Sequence, residues 1–150
     1  MSIDALAEAL LSANRKGLFR WKPIFKAYAN VSADELRDLE REIGMPIPIP
    51  LRDWLLAVGY GDIDDVLSFR RAWIETLEKG QLKGGARFAQ DELGNFYAFD
   101  ASGCIYFLSR SEAGFALISK DFLAFTEELV RRDYKLIEWI NTLNLEHYEW

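Results

Sequence analysis

The chain has 150 residues, of which 50% are hydrophobic and 28% are charged, and its net charge at pH 7 is -6. This length suits one domain of common size, and the composition is typical of a folded protein rather than a disordered one. Cys104 is the only cysteine, which excludes a disulfide within the chain.

The sequence carries no signal for a membrane or for export. No apolar stretch approaches the ~20 residues that a membrane-spanning helix needs. Asp4 and Glu8 stand near the N-terminus, where targeting peptides carry basic residues. We therefore expect a cytoplasmic protein with no membrane partner.

The acidic residues are concentrated in one part of the chain. The charge balance is +3 over residues 1–30, -6 over 31–65 and -3 over 66–150. Nucleic-acid binders gain most of their affinity from Lys and Arg at phosphates, so we expect no nucleic-acid partner. The negative charge of residues 31–65 would attract a basic protein surface. Acidic surfaces can also serve solubility alone.

Two helix signals stand in the first third of the chain. Ser2 predicts the N-cap of a helix that runs to about Lys16. Ser32 and Glu35 form a capping box, which predicts a helix that ends near Gly44.

The segments around the capping-box helix are predicted to be short or irregular. The basic, aromatic stretch Phe19–Pro23 predicts a loop or an extended link. Alternating prolines over residues 45–50 predict a stiff link, which leads into a short helix over Leu51–Val58. The two glycines in Gly59–Asp62 predict a turn.

After this turn the pattern changes from helical to strand-like. Ile63–Phe69 is predicted as a strand, and Ser68 as the cap of a helix with an apolar stripe formed by Phe69, Trp73, Ile74 and Leu77. Short aromatic segments with Gly-containing turns then predict an antiparallel meander: Arg87–Gln90, Phe96–Asp100, Cys104–Leu108 and Phe115–Ile118.

Helices close the chain and complete the prediction of the fold. Ser119 predicts the cap of a helix from Lys120 to about Arg132, and an amphipathic stretch follows over Tyr134–Leu145. We expect one α+β domain over residues 1–150, with a central antiparallel sheet and helices packed on it.

The sequence offers no set of residues for catalysis or for a cofactor. Cys104 and His147 are the single residues of their types, too few for a zinc site, and we expect no Cys–His nucleophile. The acidic run at Asp62 would need a glycine as its sixth and a glutamate as its twelfth residue to form a calcium loop, but Leu67 and Trp73 stand there. We predict no catalytic, cofactor-binding or metal-binding residues.

The tryptophans divide into two groups. Trp54 and Trp73 lie on apolar faces of predicted helices, where core packing is the expected role. For Trp21, Trp139 and Trp150 two roles stay open: contact with a partner at an interface, or packing as part of a docked tail.

Several motifs in consecutive order resemble the SUKH superfamily, which includes yeast cell-wall assembly regulators and bacterial immunity proteins. Gly44–Pro48 resembles that family's Gly-x-x-Leu-Pro turn, with Ile47–Pro48 in place of Leu-Pro. Phe88–Asp100 resembles its Asp/Gly turn into an aromatic strand, and Gly103–Phe107 its next strand. Ser119–Leu129 resembles its closing helix, and the likeness as a whole covers about residues 32–131.

The resemblance implies an α+β fold and a non-enzymatic immunity protein that binds and neutralises a cognate toxin, of nuclease or deaminase type. The partner would be a basic toxin domain, because nucleases carry basic clefts that a negative surface can occupy. We predict contacts at acidic residues that are expected in turns: Asp62, Asp64, Asp65, Asp91 and Glu92.

Other functions stay open at this point. The eukaryotic relatives suggest a regulatory or scaffolding interaction module, and the acidic turn can also be a solvated one without a partner. A carboxylate hydrolase would need two carboxylates about 5 to 9.5 Å apart in a cleft. A homodimer is possible as well.

Overall fold

A computed structural model describes residues 1–17 and 20–150 of the chain. These ranges form five α-helices: α1 (Ile3–Ser12), α2 (Ala33–Ile43), α3 (Ile49–Val58), α4 (Phe122–Arg131) and α5 (Leu136–Ile140). They also form eleven strands: β1 (Asn14–Lys16), β2 (Trp21–Pro23), β3 (Phe25–Ala29), β4 (Tyr60–Ile63), β5 (Leu67–Phe69), β6 (Glu75–Thr76), β7 (Ala86–Asp91), β8 (Phe96–Phe99), β9 (Ile105–Leu108), β10 (Gly114–Ser119) and β11 (Glu146–His147). None of these helices has the length and apolar character to cross a bilayer.

Nine strands form one antiparallel sheet in the order β11-β10-β9-β8-β7-β5-β4-β3, with β6 paired to β7 beside that path. Strands β1 and β2 form a separate hairpin. The meander from β7 to β10 agrees with the predicted strands to within one or two residues. The structure therefore confirms the predicted α+β class, a central antiparallel sheet with helices packed on it.

The larger hydrophobic core lies between the helices and one face of the sheet. The Trp54 ring of α3 is fully buried, and its centroid lies 5.9, 6.1 and 5.9 Å from those of Phe25, Phe69 and Phe122. Tilted and edge-on ring pairs of this kind add about 0.5–1.5 kcal/mol each beyond the area they bury. These contacts join α3 and α4 to strands β3 and β5.

A smaller core lies on the opposite face of the sheet. Leu77, Leu82 and Tyr148 pack there against residues of β8 to β10, among them Leu108 and Phe115. The Tyr148 hydroxyl also donates to the Lys79 carbonyl at 2.6 Å. The segment after β6 and the C-terminal tail thus cover the part of this face that β8, β9 and β10 form.

The local signals for α2 and α3 are confirmed. The Ser32 side chain accepts from the Glu35 amide at 3.1 Å, and Gly44 ends α2 in the left-handed conformation with φ 73°. Pro50 lies in the first turn of α3, where no amide donor is needed. Helix α3 begins two residues earlier than predicted, at Ile49.

The first helix is shorter than predicted. It ends at Ser12 instead of Lys16, because residues 14–16 pair with residues 21–23 as a hairpin. Trp21–Pro23 is extended, which agrees with one of the two predicted alternatives, while Phe19 lies outside the described residues. Strand pairing here overrides the local preference for helix.

The predicted turn at Gly59–Asp62 is wrong. Residues 60–63 form β4, an inner strand of the sheet between β3 and β5. Gly61 is needed for close packing rather than for a turn, since a Cβ atom there would lie 2.3 Å from the Lys26 carbonyl oxygen. The turn begins at Asp64 instead, so that Ile63–Phe69 forms parts of a hairpin rather than one strand.

The predicted helix after Ser68 is also wrong. The segment contains the end of β5, a 3-10 turn at Arg71–Trp73 and the short strand β6. Its apolar residues belong to different cores, because Phe69 and Ile74 lie in the larger one and Leu77 lies in the smaller one. Trp73 is half-buried in the 3-10 turn instead of lying on a helix face.

The closing helices begin later than predicted. Ser119 is the last residue of β10, and Asp121 caps α4 by accepting from the Ala124 amide at 2.7 Å. The final amphipathic stretch forms only α5 and then returns to the sheet as β11.

Candidate functional site

Three of the five predicted contact residues lie in two turns at one end of the sheet. Asp64 and Asp65 belong to the turn between β4 and β5, and Glu92 belongs to the turn between β7 and β8. Strands β5 and β7 are neighbours, with Leu67 opposite Asp91, which places these turns side by side. The sheet register therefore brings together residues that are far apart in the sequence.

A groove of about 490 Å³ lies beside these turns. Its charged lining residues are Arg15, Asp64, Glu92, Asp133, Lys135 and Glu138. Four acidic and two basic side chains give this lining a net charge of -2. We call this feature the acidic groove.

Arg15 of β1 connects the N-terminal hairpin to the acidic groove. Its guanidinium donates from Nε to Asp64 Oδ1 and from Nη2 to Asp133 Oδ1, each at 3.0 Å, and Nη2 also forms an ion-pair contact of 3.0 Å with Asp64 Oδ2. Hydrogen bonds to Asp133 and Asp64 raise the pKa of Arg15 above its ordinary value. The guanidinium also lies 5.8 Å from the centre of the Tyr134 ring, whose pKa burial raises. Arg15 thus holds three separate segments together at the groove.

Glu92 and Glu138 are the exposed carboxylates of the groove that form no ion pair with a described residue. They differ in this from Asp64 and Asp133, which Arg15 neutralises. A basic side chain that enters the groove would therefore meet these two carboxylates without first displacing a cation.

The backbone of this region adopts an uncommon conformation. The described residues include four non-glycine residues with positive φ: Asp64 (46°), Asp65 (58°), Asp133 (53°) and Tyr134 (63°). Aspartate tolerates this region better than most residues, whereas a bulky residue such as tyrosine rarely adopts it. Three of the four line the acidic groove, and Asp65 lines a neighbouring groove beside Trp21.

Asp62 lies in strand β4 rather than in the predicted turn. Its side chain is buried and accepts hydrogen bonds from the Tyr28 hydroxyl and the Ser68 hydroxyl. Both partners lie on neighbouring strands of the sheet, which places Asp62 away from the acidic groove.

Asp91 supports the turn that carries Glu92. Its buried carboxylate accepts from the Leu93 and Asn95 amides at 3.0 Å, from the Asn95 side chain at 3.1 Å and from the Tyr97 hydroxyl at 2.8 Å. Burial, and then the Asp91 charge, raise the pKa of Tyr97 well above its ordinary value. The side chain of Asp91 faces the interior, so its role in this structure is to shape the turn.

The acidic stretch 31–65 does not form one negative surface. Arginines neutralise five of its nine carboxylates, at Asp34, Asp38, Glu40, Glu42 and Asp64. Two of these arginines, Arg15 and Arg71, come from outside the stretch. The other three are already counted in the balance of -6, so the fold brings two further positive charges to this segment.

Sequence reasoning did not single out the segment that completes the acidic groove. Asp133, Tyr134 and Glu138 come from the connection between α4 and α5 and from α5 itself. The sequence predicts a helix that ends at about Arg132 and an amphipathic stretch from Tyr134. Such a pattern does not show which distant turn the connection between them approaches. Arg15 was likewise predicted inside a helix.

Metal and thiol chemistry find little support in the described residues. No group of three or more His, Cys, Asp and Glu side chains is arranged to hold a metal ion within residues 1–17 and 20–150. Cys104 is half-buried, and burial raises the pKa of its thiol, which disfavours the thiolate.

Comparison of the chain with protein-family models, curated proteins and solved structures finds no match.

Proposed function

We propose that this chain is a protein-binding domain, an immunity protein of the SUKH type that binds a basic toxin and neutralises it without catalysis. The observation that carries the proposal is the acidic groove, where the turns after β4, β7 and α4 meet. The order of motifs over residues 32–131 supports the family, and the α+β fold agrees with what that family implies.

The groove suits a partner that presents lysine or arginine side chains. Its lining has a net charge of -2, and Glu92 and Glu138 stand at its surface. Charges of this kind speed the encounter with a positively charged surface and exclude a negatively charged one. A nuclease or a nucleic-acid deaminase has such a positive surface in its substrate cleft, since it must bind phosphates.

The supporting contacts make the groove ready to bind. Asp91 fixes the Glu92 turn through four hydrogen bonds, and Arg15 fixes the Asp64 turn against the α4–α5 connection. A binding surface whose turns are already ordered loses less conformational entropy on association. The protein would therefore bind its toxin largely in the conformation described here.

The test uses the purified product of a toxin gene next to the gene for this protein. We expect a complex whose association rate falls as salt rises to about 0.5 M, where exposed charges are screened. Addition of one equivalent of this protein should abolish the toxin's activity on its substrate.

Charge reversal then locates the interface. The double variant Glu92→Lys with Glu138→Lys should weaken binding at least about tenfold, roughly 1.4 kcal/mol. Glu78→Lys is the matched control, because Glu78 is exposed but lines a different groove. Absence of any complex would overturn the proposed function, and equal binding by the groove variant and the control would overturn the proposed surface.

A further inference from the structure

The second face of the sheet has a polar half that the smaller core does not cover. Lys26, Asp62, Ser68 and Gln90 lie opposite one another across β3, β4, β5 and β7, and therefore share this face. Leu77, Leu82 and Tyr148 pack on the other half. We call the uncovered part the open half of the sheet.

Arg70 lies at the border of the open half, between two aromatic rings. Its guanidinium carbon is 4.6 Å from the centre of the Tyr28 ring and 5.1 Å from that of Trp73. Arg70 and Tyr28 are exposed, and Trp73 is half-buried. Contacts with two rings restrict a side chain that would otherwise be mobile. Arg70 also lies close enough to the Tyr28 hydroxyl to lower the pKa of Tyr28 in part, which leaves the remaining N–H groups of its guanidinium for a partner.

Buried hydrogen bonds hold the Tyr28 ring in place. Its hydroxyl donates to Asp62, and Ser68 donates to the same carboxylate from the next strand. Burial, and then the hydrogen bond to Asp62, raise the pKa of Tyr28, which keeps its hydroxyl protonated as a donor. Asp62 thus acts as a positioning residue for the ring that orients Arg70.

Arg70 differs from most arginines of this protein in its lack of an acidic partner. Eight of the eleven arginines form an ion pair with a carboxylate in the described part of the chain. Its sequence neighbour Arg71 pairs with Glu42. Arg70 forms no such pair with a described residue, so its positive charge is oriented but not neutralised.

We infer that Tyr28, Arg70 and Trp73 form an interaction site that binds one carboxylate group, an Asp or Glu side chain of a protein partner. Arginine, tyrosine and tryptophan are the residue types most enriched where interfaces concentrate their binding energy. The planar guanidinium matches a carboxylate through two parallel hydrogen bonds. A single cation matches a group of one negative charge, whereas it leaves a phosphate of higher charge only partly neutralised.

This site goes beyond the acidic groove, because it takes the opposite charge and belongs to other strands. It rests on the proposed function only in that the source of the carboxylate is a protein. A partner that places a basic side chain in the groove and an acidic one at Arg70 would be held in a single orientation.

The test needs no toxin and follows the Arg70 side-chain Nε–H resonance by NMR. The probes are N-acetyl-glutamate N-methylamide, the corresponding glutamine compound and inorganic phosphate. We expect saturable shifts at Arg70 with the glutamate compound in the millimolar range or above, no saturation with the glutamine compound, and no tighter binding of phosphate. Arg110 is the internal control, since it also forms no ion pair with a described residue.

Saturation at Arg70 at least about fivefold tighter than at Arg110 supports the site. Equal responses of the two arginines, an absence of saturation, or a preference for phosphate would each overturn it. Arg70→Lys keeps the positive charge at an exposed position but removes the planar guanidinium and its two parallel N–H donors. It should abolish the glutamate-induced shift of the Trp73 indole N–H. A Trp73 shift that persists in this variant would also contradict the assignment. The toxin experiment tests Glu92 and Glu138, whereas the NMR experiment tests Arg70. The proposed function and the carboxylate site can therefore fail independently of each other.

Discussion

Asp91 shows how one buried carboxylate can shape a surface that it does not reach. It accepts two backbone amides, one side-chain amide and the Tyr97 hydroxyl, and so determines the path of the turn that presents Glu92. The sequence predicted Asp91 and Glu92 as equivalent contact candidates, since consecutive acidic residues beside a glycine look alike. Only the hydrogen bonds of the folded chain separate the supporting residue from the exposed one.

Asp91→Ala should lower the free energy of unfolding by about 3 kcal/mol, because it leaves the Asn95 and Tyr97 donors buried without an acceptor. Glu92→Ala, at the exposed neighbouring position, should change it by no more than about 0.5 kcal/mol. Urea unfolding followed by tryptophan fluorescence measures both values. Similar losses in the two variants would contradict the supporting role of Asp91.

Tyr97 should make the protein less stable in alkali. The pKa of Tyr97 is raised in the folded state. Its contribution to the free energy of unfolding is therefore complete below the pKa of about 10 that it has in the unfolded chain, and is lost as the pH rises toward its pKa in the folded protein. In that range the unfolded chain releases the Tyr97 proton and the folded chain retains it. The free energy of unfolding should therefore fall more steeply with pH in the native protein than in Tyr97→Phe, by up to about 1.4 kcal/mol per pH unit. Parallel curves from urea titrations above pH 10 would disprove this.

At the scale of elements, most signals within a few consecutive residues predicted well, with the caps at Ser68 and Ser119 as exceptions, and signals that depend on pairing did not. The Ser32 cap of α2, the proline of α3 and the turns of the β7–β10 meander act locally, and the structure contains each of them. Strand β4 was predicted as a turn because its glycine is explained only by β3, more than 30 residues away in the sequence. The turn after β4 has its own requirement, since it places two aspartates in the left-handed region.

Substitution of Asp65 tests that backbone requirement. Asp65→Gly should be at least as stable as the native protein, because glycine adopts positive φ without steric cost. Asp65→Ala should be about 1 kcal/mol less stable than Asp65→Gly, since alanine is strained at φ 58°. Thermal unfolding of the pair gives the difference directly, and a more stable alanine variant would rule out the left-handed turn.

At the scale of the whole molecule, net charge is a poor guide to where charge acts. The chain carries -6 overall, yet Arg15 and Arg71 from outside the acidic stretch pair with two of its carboxylates, and Arg70 at the border of the open half of the sheet forms no ion pair with a described residue. The binding surfaces therefore arise from how charges are paired in space. Arg15 is the clearest case, because it joins the N-terminal hairpin to two turns of the acidic groove.

Arg15→Gln should loosen the hairpin with little effect on global stability. Its ion pairs are largely exposed, so the free energy of unfolding should fall by no more than about 1 kcal/mol. Amide hydrogens of residues 14–16, Trp21 and Lys22 should exchange faster, and salt near 1 M should reduce the difference from the native protein. Lys22→Gln, opposite Arg15 in the hairpin register, is the control and should leave exchange unchanged. Equal exchange rates in Arg15→Gln and the native protein would contradict this connection.

The sequence alone determined the α+β class, the two helices around the proline-rich link and the meander, because caps, prolines and glycine turns act on neighbouring residues. It also placed Asp64, Asp65 and Glu92 in turns, although Asp62 and Asp91, which it predicted there as well, lie in strands. Only the tertiary structure decided which turns meet, which carboxylates are neutralised and where an arginine lies between two rings without an ion pair to a described residue. These features depend on strand register, which brings together residues that are dozens of positions apart and that carry no mark of their future neighbours.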